Sequence, residues 1–303
     1  LWTKMKNFDI CLHGNLIFDK VYVVDGFREN DSNTPKSIYK SPGALMNMVR
    51  SMLTFDWDVS IAIDSCVGND SSGEYIRRWL DNARKLNGNK IVDNLDTLFT
   101  KTSEAVIISD MSKNNRSSIV NWGACSKMEK VKDMGARWDH ILYLDKLPNL
   151  RSLPFERGGR WTSADVCSSN HDDRTKSRIL NMLRKVDFFF ASEEEAMSLS
   201  STKSPIDAVR ELGKINPIGY AIVHSPKGSL LCGRDGEIHE YKCKNIIKSP
   251  ADVLGAGDHF ASSFIAHRLK NPRSYYQDSI EFAHKSATKF VQDKTISKES
   301  IND

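Results

Sequence analysis

The chain has 303 residues, of which 40% are hydrophobic, and it carries a formal net charge of +4. This length and composition are sufficient to bury one large core without help from disulfides. Its 43 basic and 39 acidic residues are spread along the whole chain, and so small an imbalance argues against a nucleic-acid-binding function.

The six cysteines are scattered and form no C-x-x-C pair or metal-ligand spacing, a pattern typical of reduced thiols in a cytoplasm. No apolar run approaches the roughly 20 residues that a membrane span requires, and the N-terminus lacks the apolar segment of a signal peptide. We therefore expect a cytoplasmic globular protein that binds neither membranes nor nucleic acid.

Short apolar runs alternate with amphipathic stretches along the chain. Buried strands are predicted at 8–12, 59–63, 105–109, 140–144, 186–190 and 219–224. Apolar residues at three- and four-residue spacing predict helices at 73–86, 174–185 and 205–213. This alternation is typical of βα units on a mostly parallel sheet with helices on both faces.

Two regions interrupt this alternation. From about Leu16 to Tyr39 the pattern is strand-like, then turn-rich, then briefly apolar, which predicts a few strands that stand off the main sheet as a small lid. Later, two apolar segments at 230–232 and 238–241 flank a turn-rich link and predict a β-hairpin. We find no repeat and no long linker, so we expect a single domain over residues 1–303.

A glycine-rich turn with the sequence DVLGAGD, residues 252–258, runs directly into a segment with a continuous apolar stripe that predicts a helix. Glycines before a helix let backbone N–H groups surround an anion, and the helix dipole adds attraction. Asp258 lies at the mouth of this anion hole, where it could accept the proton of an attacking hydroxyl. The simpler alternative is that Asp258 only caps the helix and the glycines only form a tight turn.

Two common nucleotide-binding motifs fit this turn poorly. A Rossmann dinucleotide site places its glycines after the first strand and requires a third glycine where Phe260 stands. The sequence also contains no G-x-x-x-x-G-K-[ST] motif, which argues against a P-loop NTPase.

The turn resembles the signature D-T-x-G-A-G-D of the PfkB (ribokinase-like) carbohydrate kinase family. Further landmarks of that family appear in the same order: GNLIFD at 14–19, PGALMN at 42–47, VGNDSSG at 67–73, SEEE at 192–195 and PKGS at 226–229. Because they span about 250 residues, chance agreement is much less probable than for any single motif.

The resemblance implies a three-layer α/β/α sandwich with a mostly parallel central sheet and a small β lid. It further implies an enzyme that uses ATP to phosphorylate a hydroxyl group of a sugar or nucleoside. In that enzyme, the acceptor would be bound by Asp19, Gly43 and Asn47. The anion hole would be formed by Gly255, Ala256 and Gly257. Asp258 would be the catalytic base. Asp19 could instead be a solvent-facing carboxylate at a strand end, and Asn47 a residue of a helix start.

The resemblance also implies a nucleotide side formed by His224, Lys227, Gly228 and Asp252, with a K⁺ site near Asp252. Glu195 would help to organise Mg²⁺ through water, since Mg²⁺ gives up its hydration shell reluctantly. Taken alone, 193–195 is equally the acidic first turn of an exposed helix. An exposed edge of the lid strands favours a homodimer.

The chain departs from the family pattern at several positions. Ser192 replaces the usual asparagine, Pro42 replaces the first glycine of the substrate loop, and Val253 replaces a threonine. These departures leave open a catalytically weakened ligand-binding or regulatory protein, and a nicotinamide-dependent oxidoreductase is a further rival. The kinase interpretation requires that Asp258 face a cleft and not the interior.

Overall fold

The computed structural model describes residues 8–55, 57–87, 90–113, 115–151, 153, 159–216, 219–244, 246–247 and 253–299. Its larger sheet has nine strands: β1 (Phe8–Gly14), β4 (Ile61–Gly68), β5 (Ile91–Leu98), β8 (Ala136–Leu142), β9 (Trp161–Asp165), β10 (Phe188–Ser192), β11 (Tyr220–Ser225), β12 (Gly228–Cys232) and β13 (Ile238–Lys242). Their order is β13-β12-β11-β10-β9-β8-β1-β4-β5. Neighbouring strands are parallel except at two pairs, β11 with β12 and β12 with β13, which are antiparallel. The β12–β13 pair confirms the predicted hairpin.

Seven helices lie in the described part of the chain: α1 (Leu45–Met52), α2 (Ser71–Leu86), α3 (Asp173–Leu183), α4 (Glu193–Ser200), α5 (Pro205–Ile215), α6 (Ala256–Lys270) and α7 (Tyr276–Glu299). Several of these helices begin with a polar residue that caps their first N–H groups. The Asp70 carboxylate accepts from the Gly73 N–H at the start of α2, and Ser204 caps α5 one residue before Pro205. None of the described helices is long and apolar enough to cross a membrane.

The helices cover both faces of the large sheet. On β10, the rings of Phe188 and Phe190 lie 5.3 and 5.4 Å from the ring of Phe264 in α6. The alternate residues Phe189 and Ala191 belong to a second core cluster that also contains buried residues of α3, α4 and α5. Since neighbouring side chains of a strand point to opposite faces, this strand separates two helical layers. The predicted three-layer α/β/α sandwich is therefore confirmed.

A second, smaller sheet contains β2 (Leu16–Val24), β3 (Ser37–Ala44), β6 (Ser103–Asp110) and β7 (Asn115–Asn121), in the order β3-β2-β6-β7. The segment 16–39 does stand off the main sheet, but it supplies only β2 and the start of β3. The assignment of 105–109 to the main sheet was wrong, because this run forms most of β6. Ala105 and Ile107 are buried while Val106 is 42% exposed, so β6 is covered on one face only. An unbroken apolar run does not by itself distinguish these environments.

Candidate active site

The candidate site lies at the carboxyl ends of the parallel strands. From β1 the chain proceeds to β4 and β5 on one side, and it then returns to add β8 and its successors on the other side. Ligands of open α/β sheets bind where the strand order reverses in this way. The amino-terminal end of α6 and the inner face of the small sheet meet at this point.

The first turn of α6 has the backbone geometry expected of an anion hole. Gly255 is the N-cap residue with φ +81°, a left-handed conformation that favours glycine, and no side chain caps the helix. The N–H groups that follow Ala256 in the first turn are therefore available to an anion, and the helix dipole adds attraction. Asp258 is the third residue of the helix and not its cap, so the simpler interpretation of this carboxylate is wrong.

A cavity of about 290 Å³ adjoins this turn. Its described lining is mostly apolar and comprises Ser192, His224, Ser225, Pro226, Cys243, Ile247, Val253, Ala256, Gly257, Phe260, His284, Ala287, Thr288 and Val291. A mostly apolar cleft beside an anion-binding turn suits a phosphorylated ligand: the cleft would bind a flat apolar portion, and the turn would bind the phosphate.

Asp258 itself is only 6% exposed. Asn47 Nδ2 donates to Asp258 Oδ2 at 2.8 Å, and the Tyr143 hydroxyl donates to Oδ1 at 3.0 Å. Burial and the nearby Asp165 raise the pKa of Asp258 to about 6, although both hydrogen bonds oppose this shift. The expectation that Asp258 faces an open cleft is not met: the side chain is buried beneath Asn47 and Tyr143, and it is not part of the described cavity lining.

The sequence-predicted acceptor residues lie together beside Asp258. A Cβ atom on Gly43 would overlap the Asp19 carboxylate, so a larger residue at this position of β3 would force the Asp19 side chain to move. Asp19 is 9% exposed, and it lies within β2 and not at a solvent-facing strand end. Burial raises the pKa of Asp19 to about 7; Asp258 adds to this shift and Arg50 opposes it. Asp19, Gly43, Asn47 and Asp258 therefore form one polar cluster between the small sheet and α6.

Glu195 forms a capping box with Ser192 at the start of α4. Ser192 Oγ accepts from the Glu195 N–H, while Glu195 Oε2 accepts from the Ser192 N–H at 2.7 Å. Burial raises the pKa of Glu195 to about 7, and Asp165 and Asp145 add to the shift. Asp145 and Asp165 thus act electrostatically on Glu195, but both are already engaged: Asp145 pairs with Lys146 and His171, and Asp165 accepts from the Tyr143 N–H.

The residues predicted for the nucleotide side do not all reach the cavity. His224 lines the cavity, and its ring lies 4.9 Å from the ring of Phe260. Burial lowers the pKa of His224 to about 4, so the ring is neutral near pH 7. Lys227 is exposed, and a Cβ on Gly228 would overlap the Tyr241 carbonyl of β13. Neither residue is part of the cavity lining. Asp252 lies outside the described residues.

Sequence reasoning missed Tyr143, Asp145, Asp165 and Arg50. Tyr143 follows the last residue of β8, and Asp165 is the last residue of β9. The predicted strand 140–144 contains Tyr143 and ends directly before Asp145, so a polar residue at its carboxyl end was the signal that could have found these two. No strand was predicted at 161–165, so Asp165 could not be found in this way. Arg50 offered no such signal, since a single arginine on a predicted helix is common.

The sheet order, the second sheet and the glycine turn define a ribokinase-like α/β fold. The sequence matches the pfkB family of carbohydrate kinases over residues 7–300, so this chain belongs to that family. No curated protein sequence matches the chain.

Solved structures with a similar fold include sugar and nucleoside kinases. A probable sugar kinase from Rhizobium etli has a TM-score of 0.73 at 20% identity, covering 93% of this chain and 92% of that one. An adenosine kinase from Sinorhizobium meliloti has a TM-score of 0.71 at 17% identity, covering 93% of both chains. A nucleoside kinase from Methanocaldococcus jannaschii has a TM-score of 0.69 at 21% identity, covering 93% of this chain and 91% of that one.

Proposed function

We propose that the chain transfers the γ-phosphoryl group of ATP to a hydroxyl group of a sugar or nucleoside, with Asp258 as the general base. One observation carries this proposal: the first turn of α6 has the cavity on one side and a buried polar cluster on the other. Ala256 and Gly257 line the cavity, while the Asp258 carboxylate reaches the cluster with Asp19 and Asn47. An acceptor bound at the cluster and a phosphate donor bound in the cavity would meet at the turn.

The proposed reaction is an in-line displacement at phosphorus. The acceptor oxygen forms a bond to the γ-phosphorus, its proton passes to an Asp258 oxygen, and the bond to the β,γ-bridging oxygen breaks to release ADP. The N–H groups that follow Ala256 would stabilise the transferring group, since they need no reorganisation during the reaction. The Ala256 N–H, which was expected to belong to the anion hole, instead donates to the Val253 carbonyl. A pKa of about 6 leaves Asp258 ionised at neutral pH and able to take a proton.

We infer that Mg²⁺ binds near Glu195, which would help to hold it through water. When bound, Mg²⁺ would neutralise charge on the ATP phosphates. A K⁺ site near Asp252, and nucleotide contacts from Lys227 and Gly228, stay predictions from the family resemblance. Asp19, Gly43 and Asn47 would bind the hydroxyl groups of the acceptor.

Binding of the acceptor must uncover the base. Asp258 is 6% exposed and its two oxygens are covered by Asn47 and Tyr143, so an acceptor hydroxyl needs space that one of these side chains now fills. Tyr143 is the donor that we expect to yield, since the Asn47 amide has a second partner in Arg50. Small shifts of the lid strands would then exclude water from the polar cluster that would bind the acceptor, and this would limit ATP hydrolysis.

We also propose a homodimer formed through the lid strands and a cytoplasmic location. Three apolar side chains of the small sheet are exposed: Ile38 at 53%, Val106 at 42% and Ile119 at 77%. Val106 and Ile119 are directly paired neighbours on β6 and β7, so they form a continuous apolar surface. The six cysteines are free thiols, as expected in a reducing compartment.

The covered state of Asp258 favours a second candidate, a ligand-binding or regulatory protein that has lost efficient transfer. ADP release should be measured with Mg·ATP and a panel of sugars, sugar acids, sugar phosphates and nucleosides, alongside thermal stabilisation by each compound. Turnover with at least one acceptor supports the kinase. Stabilisation by ligands without turnover supports the binding protein, and stabilisation by NAD(H) but not by Mg·ATP would overturn both.

A further inference from the structure

Arg50, in the last turn of α1, is bound to the end of β3 and to Asn47 of its own helix. Its Nη2 donates to Ser41 Oγ and to the Pro42 carbonyl, both at 2.7 Å, and its Nη1 donates to Asn47 Oδ1 at 3.1 Å. The guanidinium lies 4.9 Å above the ring of Trp79. Arg50 is half-buried, and three oxygen acceptors and an aromatic ring therefore fix its position.

These contacts determine which way the Asn47 amide points. The oxygen and nitrogen of an amide have nearly the same shape, so hydrogen-bond partners must distinguish them. A guanidinium can only donate, and an ionised carboxylate can only accept. With Arg50 on one side and Asp258 on the other, the oxygen must face Arg50 and the nitrogen must face Asp258, as observed.

We propose that Arg50 is a positioning residue that, by binding the Asn47 oxygen, keeps the Asn47 nitrogen on the Asp258 carboxylate. Without Arg50 only the Asp258 carboxylate would orient the amide, so the amide would turn over more readily and direct its oxygen at Asp258, which would destabilise the ionised form. This role rests on the proposed function only in so far as Asp258 is the base. The contacts that define it do not depend on catalysis.

The expected consequence is a change in the proton affinity of Asp258. The hydrogen bond from Asn47 favours the ionised form and lowers the pKa of Asp258. The other groups that act on Asp258 would remain: Asp165 on β9, the Tyr143 hydroxyl after β8, Arg116 on β7, and Asp19 on β2. Loss of one hydrogen bond to a charged group corresponds to a rise of about one pH unit.

The test is a pH titration of the Asp258 carboxyl carbon by ¹³C NMR in aspartate-labelled protein, with the signal assigned through Asp258→Asn. We expect the Arg50→Gln titration midpoint to lie about one pH unit above that of the wild type. In Arg50→Lys the rise should be smaller, since an ammonium group lacks the fork that reaches Asn47 and the β3 oxygens together. Arg78→Gln, a change at an exposed arginine of α2, is the matched control and should leave the midpoint in place.

The acid limb of kcat/KM should shift by the same amount for any acceptor that the wild type phosphorylates. An unchanged midpoint in a folded Arg50→Gln or Arg50→Lys protein would overturn the inference even if the wild type is an active kinase. A shifted midpoint in a wild type that phosphorylates no acceptor would instead sustain the inference and overturn the proposed function. A purely structural role for Arg50 would lower the melting temperature without moving the midpoint.

Discussion

The Tyr143 hydroxyl lies 3.0 Å from Asp258 Oδ1 and 3.3 Å from Oδ2, although the two residues are 115 positions apart. Tyr143 adopts a left-handed backbone conformation with φ +54°, which is uncommon for a residue other than glycine. Its own N–H donates to the carboxylate of Asp165 and helps to hold this conformation. A tyrosine in an uncommon backbone conformation thus covers the carboxylate of the proposed base.

Replacement of Tyr143 by phenylalanine should raise the pKa of Asp258 above about 6, because the lost hydrogen bond favours the ionised carboxylate. The acid limb of the pH profile of kcat/KM should then move to higher pH by up to about one unit. At pH 8, kcat/KM itself should fall by less than about tenfold. A pH–rate profile measures both. Tyr275→Phe, at a side chain that is 82% exposed, is the control. An acid limb that stays in place would contradict the assigned contact.

Gly255 and Gly236 form a matched pair for testing the turn. Both have left-handed φ angles, +81° and +77°, so alanine should destabilise either position by about 1 kcal/mol. A Cβ on Gly255 would lie 3.3 Å from Asn47 Nδ2, whereas one on Gly236 would contact nothing within 4 Å. Gly255→Ala should therefore also lower kcat/KM by about tenfold or more, and Gly236→Ala should not. Urea unfolding and ADP release measure the two effects, and equal activity of the two variants would refute the prediction.

Asp258 should lower the stability of the folded protein at neutral pH. Its pKa is about 6 in the fold, above the ordinary value of 3.8, so the folded state binds the proton more tightly than the unfolded state. The contribution of this group to stability is therefore lost as pH rises from about 4 to about 6. The free energy of unfolding of the wild type minus that of Asp258→Asn should therefore be up to about 3 kcal/mol lower at pH 8 than at pH 4. Urea unfolding at both pH values measures the difference, and a constant difference would contradict a buried, ionised carboxylate.

Local patterns made much of the fold and part of the site predictable. The glycine turn and Asp258 are adjacent in sequence, and their geometry follows from a helix start that needs a left-handed residue at Gly255. The hairpin of β12 and β13 was predictable for the same reason, since its turn residues lie between two short apolar runs.

Features that depend on distant packing were not predictable. Tyr143 and Asn47 reach Asp258 only because β8 and α1 end beside α6, and their sequence separations from Asp258 are 115 and 211 positions. The sequence of β6 is typical of a strand buried on both faces, yet β6 pairs with β2 and β7 in the small sheet, and its outer face is exposed to solvent. Pairing of this kind is set by tertiary context, which a single sequence does not display.

The most direct test of the central claim is phosphoryl transfer by Asp258→Asn with the best acceptor found for the wild type. We expect a loss on the order of a thousandfold or more in kcat while Mg·ATP binding, measured by calorimetry, changes little, since the variant keeps the turn but lacks the proton acceptor. Glu194→Gln, at an exposed residue of α4, should retain activity. Undiminished transfer by Asp258→Asn would contradict the role of Asp258 as the base.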